Sequence, residues 1–229
     1  MKRRLILALT LLTLAGCQRS RPPVSTGATA FGASIAAVSQ ETQVGRVGAL
    51  LDRPLAVQVN DADGNGIAGA RVEFTAIGGA SVIPASGITG EDGQIATRVR
   101  LGDVSGRYSL VATTRDRAGK PLQAHFTTIA LDYRQALGRE LSEKHCARCH
   151  DERSTAERVS NHDNLRAPPH SFFDGTTLNK LPQSELLAIV AHGGAAVGRS
   201  PEMPPYAATL SASDIAAVLA YIRAIAGPT

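Results

Sequence analysis

The chain has 229 residues, of which 43% are apolar, with 24 Lys and Arg against 20 Asp and Glu. That length accommodates two modest domains, each with a core of its own. The formal charge of +4 does not point to an acidic partner, because residues 1–16 carry Lys2, Arg3 and Arg4 and no acid; taking those three from 24 leaves 21 basic residues against 20 acidic ones. No basic stripe with interleaved aromatics is present, so nucleic acid is not an expected partner.

The N-terminus opens with the positive Met1-Lys2-Arg3-Arg4, followed by the apolar run Leu5 to Leu14. Ten residues are too few to span a bilayer as a helix, which needs about 20. The pattern is that of a secretory signal, expected over 1–16. It ends in Leu14-Ala15-Gly16-Cys17. This resembles the lipobox of bacterial lipoproteins, which implies cleavage before Cys17 and lipidation of that residue. The alternative, an ordinary secretory signal, leaves Cys17 as a free exported thiol. Several acyl chains on one residue anchor stably where one chain binds only marginally. The chain is therefore expected in the cell envelope, facing the periplasm. Gln18 stands where an Asp would signal retention, which tilts the expectation toward the outer membrane.

Residues 17–33 are rich in Pro, Ser, Thr, Gly and Ala without periodicity and read as a flexible tether. Sixteen extended residues reach roughly 50–60 Å. From 34 to 130 the pattern is that of strands. Leu55–Asn60 and Arg71–Thr75 alternate, with the turn residues 61–66 between them, and Gln94–Leu101, Tyr108–Thr113 and Gln123–Thr128 continue the series. Short strands at this spacing with Gly and Asp turns indicate an all-β sandwich.

The runs PLAVQVNDADGNGIAGARVEFTA and TGEDGQIATRVRLGDVSGRYSLVATT resemble a bacterial Ig-like domain of the invasin/intimin type. That resemblance covers about 51–128 and implies a stalk, spacer or interaction module without a catalytic site. Two motifs here are decoys. Gly64-Asn-Gly-Ile-Ala-Gly69 is formally GxGxxG, but a strand follows it, where a dinucleotide site needs a helix N-terminus. Asp61-x-Asp63-x-Asn65-Gly66 opens like an EF-hand loop, yet its twelfth position is Val72 and not a bidentate Glu.

From 131 to 229 the period becomes helical. Asp132–His145 puts Tyr133, Leu137 and Leu141 on one face; a second helix starts at Pro182 and stops at Gly193-Gly194. The third is capped by Ser211 with Asp214 three residues on, and Ile215, Val218, Leu219, Ile222 and Ile225 form its apolar face. Residues 151–179 are polar and read as loop.

The first helix runs into Cys146-Ala147-Arg148-Cys149-His150. Two thiols three residues apart with a histidine next is the attachment pattern of a c-type haem, with His150 as proximal ligand. A thioredoxin-like pair would need a βαβ context, and a zinc site a second ligand pair. A plain disulfide leaves His150 unexplained.

The pieces GRELSEKHCARCH, LPQSELLAIVAHGG, SPEMPPY and LSASDIAAVLAYIRAI resemble the small single-haem class I cytochromes c over 131–229. The resemblance implies crossed first and last helices and one covalent haem c, held by Cys146 and Cys149. It implies Met203 as the second axial ligand, with His170 or His192 as the bis-histidine alternative. It also implies a carbonyl of the Pro168/Pro169 segment hydrogen-bonded to His150. The fold class is thus multidomain, an all-β Ig-like sandwich and then an all-α cytochrome c domain. The expected function is single-electron transfer between redox protein partners, without enzymatic activity or a small-molecule substrate. A subunit of a larger membrane dehydrogenase or oxidase, or a haem ligand sensor, are the alternatives.

Overall fold

In the computed structural model the described residues are 30–151 and 159–228. The signal and lipidation readings on 1–16 and Cys17 lie outside them. So do residues 152–158 of the polar stretch after the haem motif.

The first half is two packed sheets. One is four-stranded, in the order β1 (Ser34–Ala37), β3 (Leu55–Asn60), β7 (Gln94–Arg100), β5 (Ser81–Ile83). The other runs β2 (Thr42–Arg46), β9 (Pro121–Leu131), β8 (Gly106–Arg115), β4 (Arg71–Ile77), β6 (Ser86–Ile88). The alternation predicted at 55–60 appears as buried Leu55, Val57 and Val59, which meet Val72, Phe74, Val99 and Leu110 between the sheets. Inward-facing residues of both sheets build such a core.

Four strands were not anticipated: β1, β2, β5 and β6. They have three to five residues, too few for a period to register. The end of the expected tether is also pinned, since Ala30 bridges Ala70 and the Ala33 amide donates to Asn60.

Strand β9 passes directly into the helices. Its Phe126 and Ala130 face the sandwich core, while Ile129 and Leu131 belong to the apolar cluster of the helical half. One residue later Asp132 caps α1 (Tyr133–His145) with a complete capping box to Gln135. The rest are α2 (Ala147–His150), α3 (Gly175–Leu178), α4 (Gln183–His192) and α5 (Ala212–Ile225). No described helix is long and apolar enough to cross a membrane.

The buried face of α1 differs from the expected one. Tyr133 and Leu137 are exposed, Leu141 packs partly buried against the helical core, and the buried residues are Ala136, Gly138 and Ser142. The reason is the closeness of α5: a Cβ on Gly138 would lie 1.9 Å from the Ala217 carbonyl oxygen. Small residues let two backbones approach, and leucines cannot occupy that seam. The predicted face of α5 is buried in full, joined by Ala217 and Tyr221.

Candidate functional site

The crossing of α1 and α5 leaves the end of α1 over a cavity of about 500 Å³. Helix α1 ends at Cys146, whose amide donates to Ser142, and the chain turns at once into α2. The amides of Cys149 and His150 both donate to the Cys146 carbonyl, at 3.1 and 3.0 Å. One turn thus carries Cys146, Cys149 and His150, and all three line the cavity. The two cysteines are not joined in a disulfide.

Burial pushes the Cys146 thiol up to about 11, so it is protonated at neutral pH. A redox-active or zinc-binding cysteine is shifted the other way. Among the described residues no group of three or more His, Cys, Asp or Glu is arranged to hold a metal ion. Burial also pushes His150 down to about 4, opposed by the backbone of His170. A neutral imidazole is the form that ligates a metal.

Met203 lines the same cavity from a loop between α4 and α5. Backbone bonds fasten that loop to the end of α4: Gly194 donates to Met203 O at 3.0 Å, and Tyr206 donates to Val190 O at 3.0 Å. Glycine is required at both positions of the α4 stop. Gly193 has φ +80°, and a Cβ there would sit 2.8 Å from the Met203 oxygen; on Gly194 it would sit 2.1 Å from the Ser200 oxygen.

The two histidines considered in place of Met203 part company. His170 lines the cavity; His192, exposed at the end of α4, does not. Pro168 and Pro169 also line it, but the backbone that acts on His150 is that of His170, one residue beyond the expected pair. Nδ1 of His150 is itself buried without a hydrogen bond of ordinary geometry.

Three contributors were not anticipated. The Phe172 ring stacks on the His150 imidazole, with centroids 4.4 Å apart and planes at 18°. The Tyr206 hydroxyl donates to the His145 carbonyl at 2.7 Å, tying the methionine loop to the end of α1. The Glu202 carboxylate accepts from the Arg166 amide at 3.1 and 3.3 Å, clasping that loop to the segment before Pro168. The MPPY run is a visible signal for Tyr206. Phe172 lies in an aperiodic loop that offers none.

Most of the remaining wall is apolar, with Leu186, Ile189 and Val190 of α4 and Val218, Leu219 and Ile222 of α5, while Arg148, Arg199 and Glu202 also line it. A concave, mostly apolar cavity of this size with a few convergent polar groups is a cofactor site. The two thiols, the neutral imidazole and the thioether on its walls fit a haem.

Comparison with known proteins agrees with both halves. Residues 53–127 match the model of the bacterial Ig-like domain (group 1). Residues 134–222 match that of cytochrome C oxidase, cbb3-type, subunit III. The chain thus carries a bacterial Ig-like domain followed by a cytochrome c-type domain.

No curated protein matches the chain. Among solved structures, the D00-D0 domain of intimin is similar over 48% of this chain and 52% of its own length, at 17% identity and TM-score 0.35. The Escherichia coli adhesin FdeC aligns over 45% of this chain and 33% of its own, at 21% and 0.32. The Yersinia pseudotuberculosis adhesin InvE aligns over 43% and 32%, at 13% and 0.34. The chain spans about half the length of the intimin fragment.

Proposed function

We propose that the chain is a lipid-anchored, exported c-type cytochrome with one covalent haem c, passing single electrons between redox proteins of the cell envelope. One observation carries this reading: Cys146, Cys149 and His150 share a turn and line, together with Met203, one apolar cavity.

When bound, the haem supplies an iron that alternates between ferrous and ferric states. Cys146 and Cys149 would hold it covalently through thioethers to its two vinyl groups. His150 and Met203 would ligate the iron, and with both in place the site would suit a carrier better than an enzyme with a small-molecule substrate. A thioether with an imidazole favours a higher potential than two imidazoles. The α4 and α5 side chains keep water from the ring. Anchoring rests on Leu14-Ala15-Gly16-Cys17, with the outer membrane slightly favoured.

The match to a subunit of an oxidase gives a second reading, an electron-transfer subunit of a larger membrane complex. A stable large assembly on detergent solubilisation supports that reading over a free shuttle. Rapid CO binding to the ferrous form indicates a ligand sensor instead.

The test is a denaturing gel stained for haem, with protein matured in a host that has attachment machinery. Haem should stay with the polypeptide, and Cys146→Ser with Cys149→Ser should abolish it. Met203→Ala should lower the midpoint potential or give a high-spin iron, and should remove the methionine-to-iron band at the red end. His170→Ala and His192→Ala should leave the spectrum alone. If His170→Ala changes the spectrum and Met203→Ala does not, the haem is bis-histidine.

A further inference from the structure

Behind the haem cavity lies a second one of about 590 Å³, between the two domains. Gln43 and Val44 of β2, with Asp52 and Arg53 just after it, form the Ig-like wall. The opposite wall includes Arg139, Ser142 and Glu143 of α1. His150 and Phe172 line this polar cleft and the apolar cavity alike. Their stacked rings are therefore the partition between the two.

The Ig-like wall is fastened in place. Arg107 on β8 donates to the carbonyls of Ile225 and Ala226 at the end of α5, at 2.6 and 2.7 Å. In the opposite direction Arg139 on α1 donates to the Val44 carbonyl at 3.0 Å while pairing with Glu143 at 2.7 Å. Val44, Ile129 and Leu131 pack in one cluster with Val218, Ile222 and Ile225 of α5. A freely swinging spacer would have neither a shared core nor buried carbonyls capped from the other domain.

We propose that the Ig-like domain is the fixed rear wall of the haem site, and that the cleft it closes sets the midpoint potential through the His150–Phe172 pair. The inference rests on His150 being the iron ligand. The potential of a haem depends on burial and on the surroundings of its ligands. The ferric form carries one more positive charge than the ferrous. Parting the domains exposes the half-buried His150 and Phe172 to bulk water in place of the fixed wall, which stabilises the ferric form and lowers the potential.

The test uses the full-length holoprotein with Arg107→Ala and Arg139→Gln combined. Covalent haem and the red-end band should persist, the wild type should melt in one calorimetric transition and the double variant in two, and the potential of the double variant should fall. Arg107→Lys keeps a donor and should fall less than Arg107→Ala. Phe172→Leu should leave one transition and still shift the potential, which a merely structural residue would not do. An unchanged potential after the domains have parted overturns the proposal. If the double variant does not mature, Phe172→Leu decides, and an unchanged potential there overturns it as well. Wild type without covalent haem would remove the reading of the site itself; haem in place with a potential indifferent to these changes removes only this inference.

Discussion

The two halves of the molecule close their interiors differently. In the sandwich, Leu55, Val57, Val59, Val72 and Val99 are fully buried and meet one another, so the core is completed by its own side chains. In the helical half, buried residues of α4 and α5 also line a cavity of about 500 Å³. Interiors are otherwise packed with few voids larger than a water. A domain that encloses such a space is stabilised by whatever fills it. The helical half should thus depend on haem directly, and the sandwich only through the core the two halves share.

The largest effect expected from breaking that contrast is at the seam that frames the cavity. Gly138→Val puts a branched side chain where even a Cβ meets the Ala217 oxygen at 1.9 Å and its carbon at 2.5 Å. Both contacts are backbone, so a rotamer change cannot relieve them, and overpacking of about 3 kcal/mol or more is expected. Helices α1 and α5 must separate, and Cys146 and His150 move with the end of α1. Haem staining should drop sharply while strand content by circular dichroism persists. Full haem incorporation with an unshifted melting point would show that the seam is not needed.

The complementary change is in the sandwich. Leu55 is fully buried on β3, and Leu55→Ala should cost about 2–5 kcal/mol by transfer and cavity terms. Below the melting transition the haem spectrum should not change, since Leu55 lines neither cavity. A spectrum altered at ambient temperature would mean that the sandwich core reaches the haem directly, beyond its surface strand β2.

What could be read from the chain follows the range of the physics involved. Strand β3, the cap at Ser211 and the Gly193 stop depend on residues a few positions apart, and alternation or spacing exposes them. On α1 the helical period of Tyr133, Leu137 and Leu141 marks the core face only at Leu141, because Gly138 makes the close contact with α5. Periodicity weighs hydrophobicity, and here the partner backbone selects for size. Cys146, Cys149 and His150 were legible because attachment needs them on one turn. Phe172, Arg107 and Arg139 were not, since each acts across a long sequence separation. Arg107 reaches carbonyls 118 and 119 residues away.

The smallest effect separates the two ends of α5. Its C-terminal carbonyls are met by Arg107 from the other domain, whereas its N-terminus is capped from within. Ser211 accepts from the Asp214 amide at 3.1 Å, and Asp214 accepts from the Ser211 amide at 3.1 Å. Ser211→Ala removes the side-chain half of this box and should cost about 1 kcal/mol. The cap is exposed and lines neither cavity, so the potential and the haem content should stay at their wild-type values. A cationic donor at the other end complements the helix dipole as well as the free carbonyls. Arg107→Ala should therefore cost a similar amount and also move the potential, because it loosens the wall behind His150. If both substitutions lower the melting point equally and neither changes the potential, the two ends of α5 are equivalent caps. The contact from the sandwich is then stability alone.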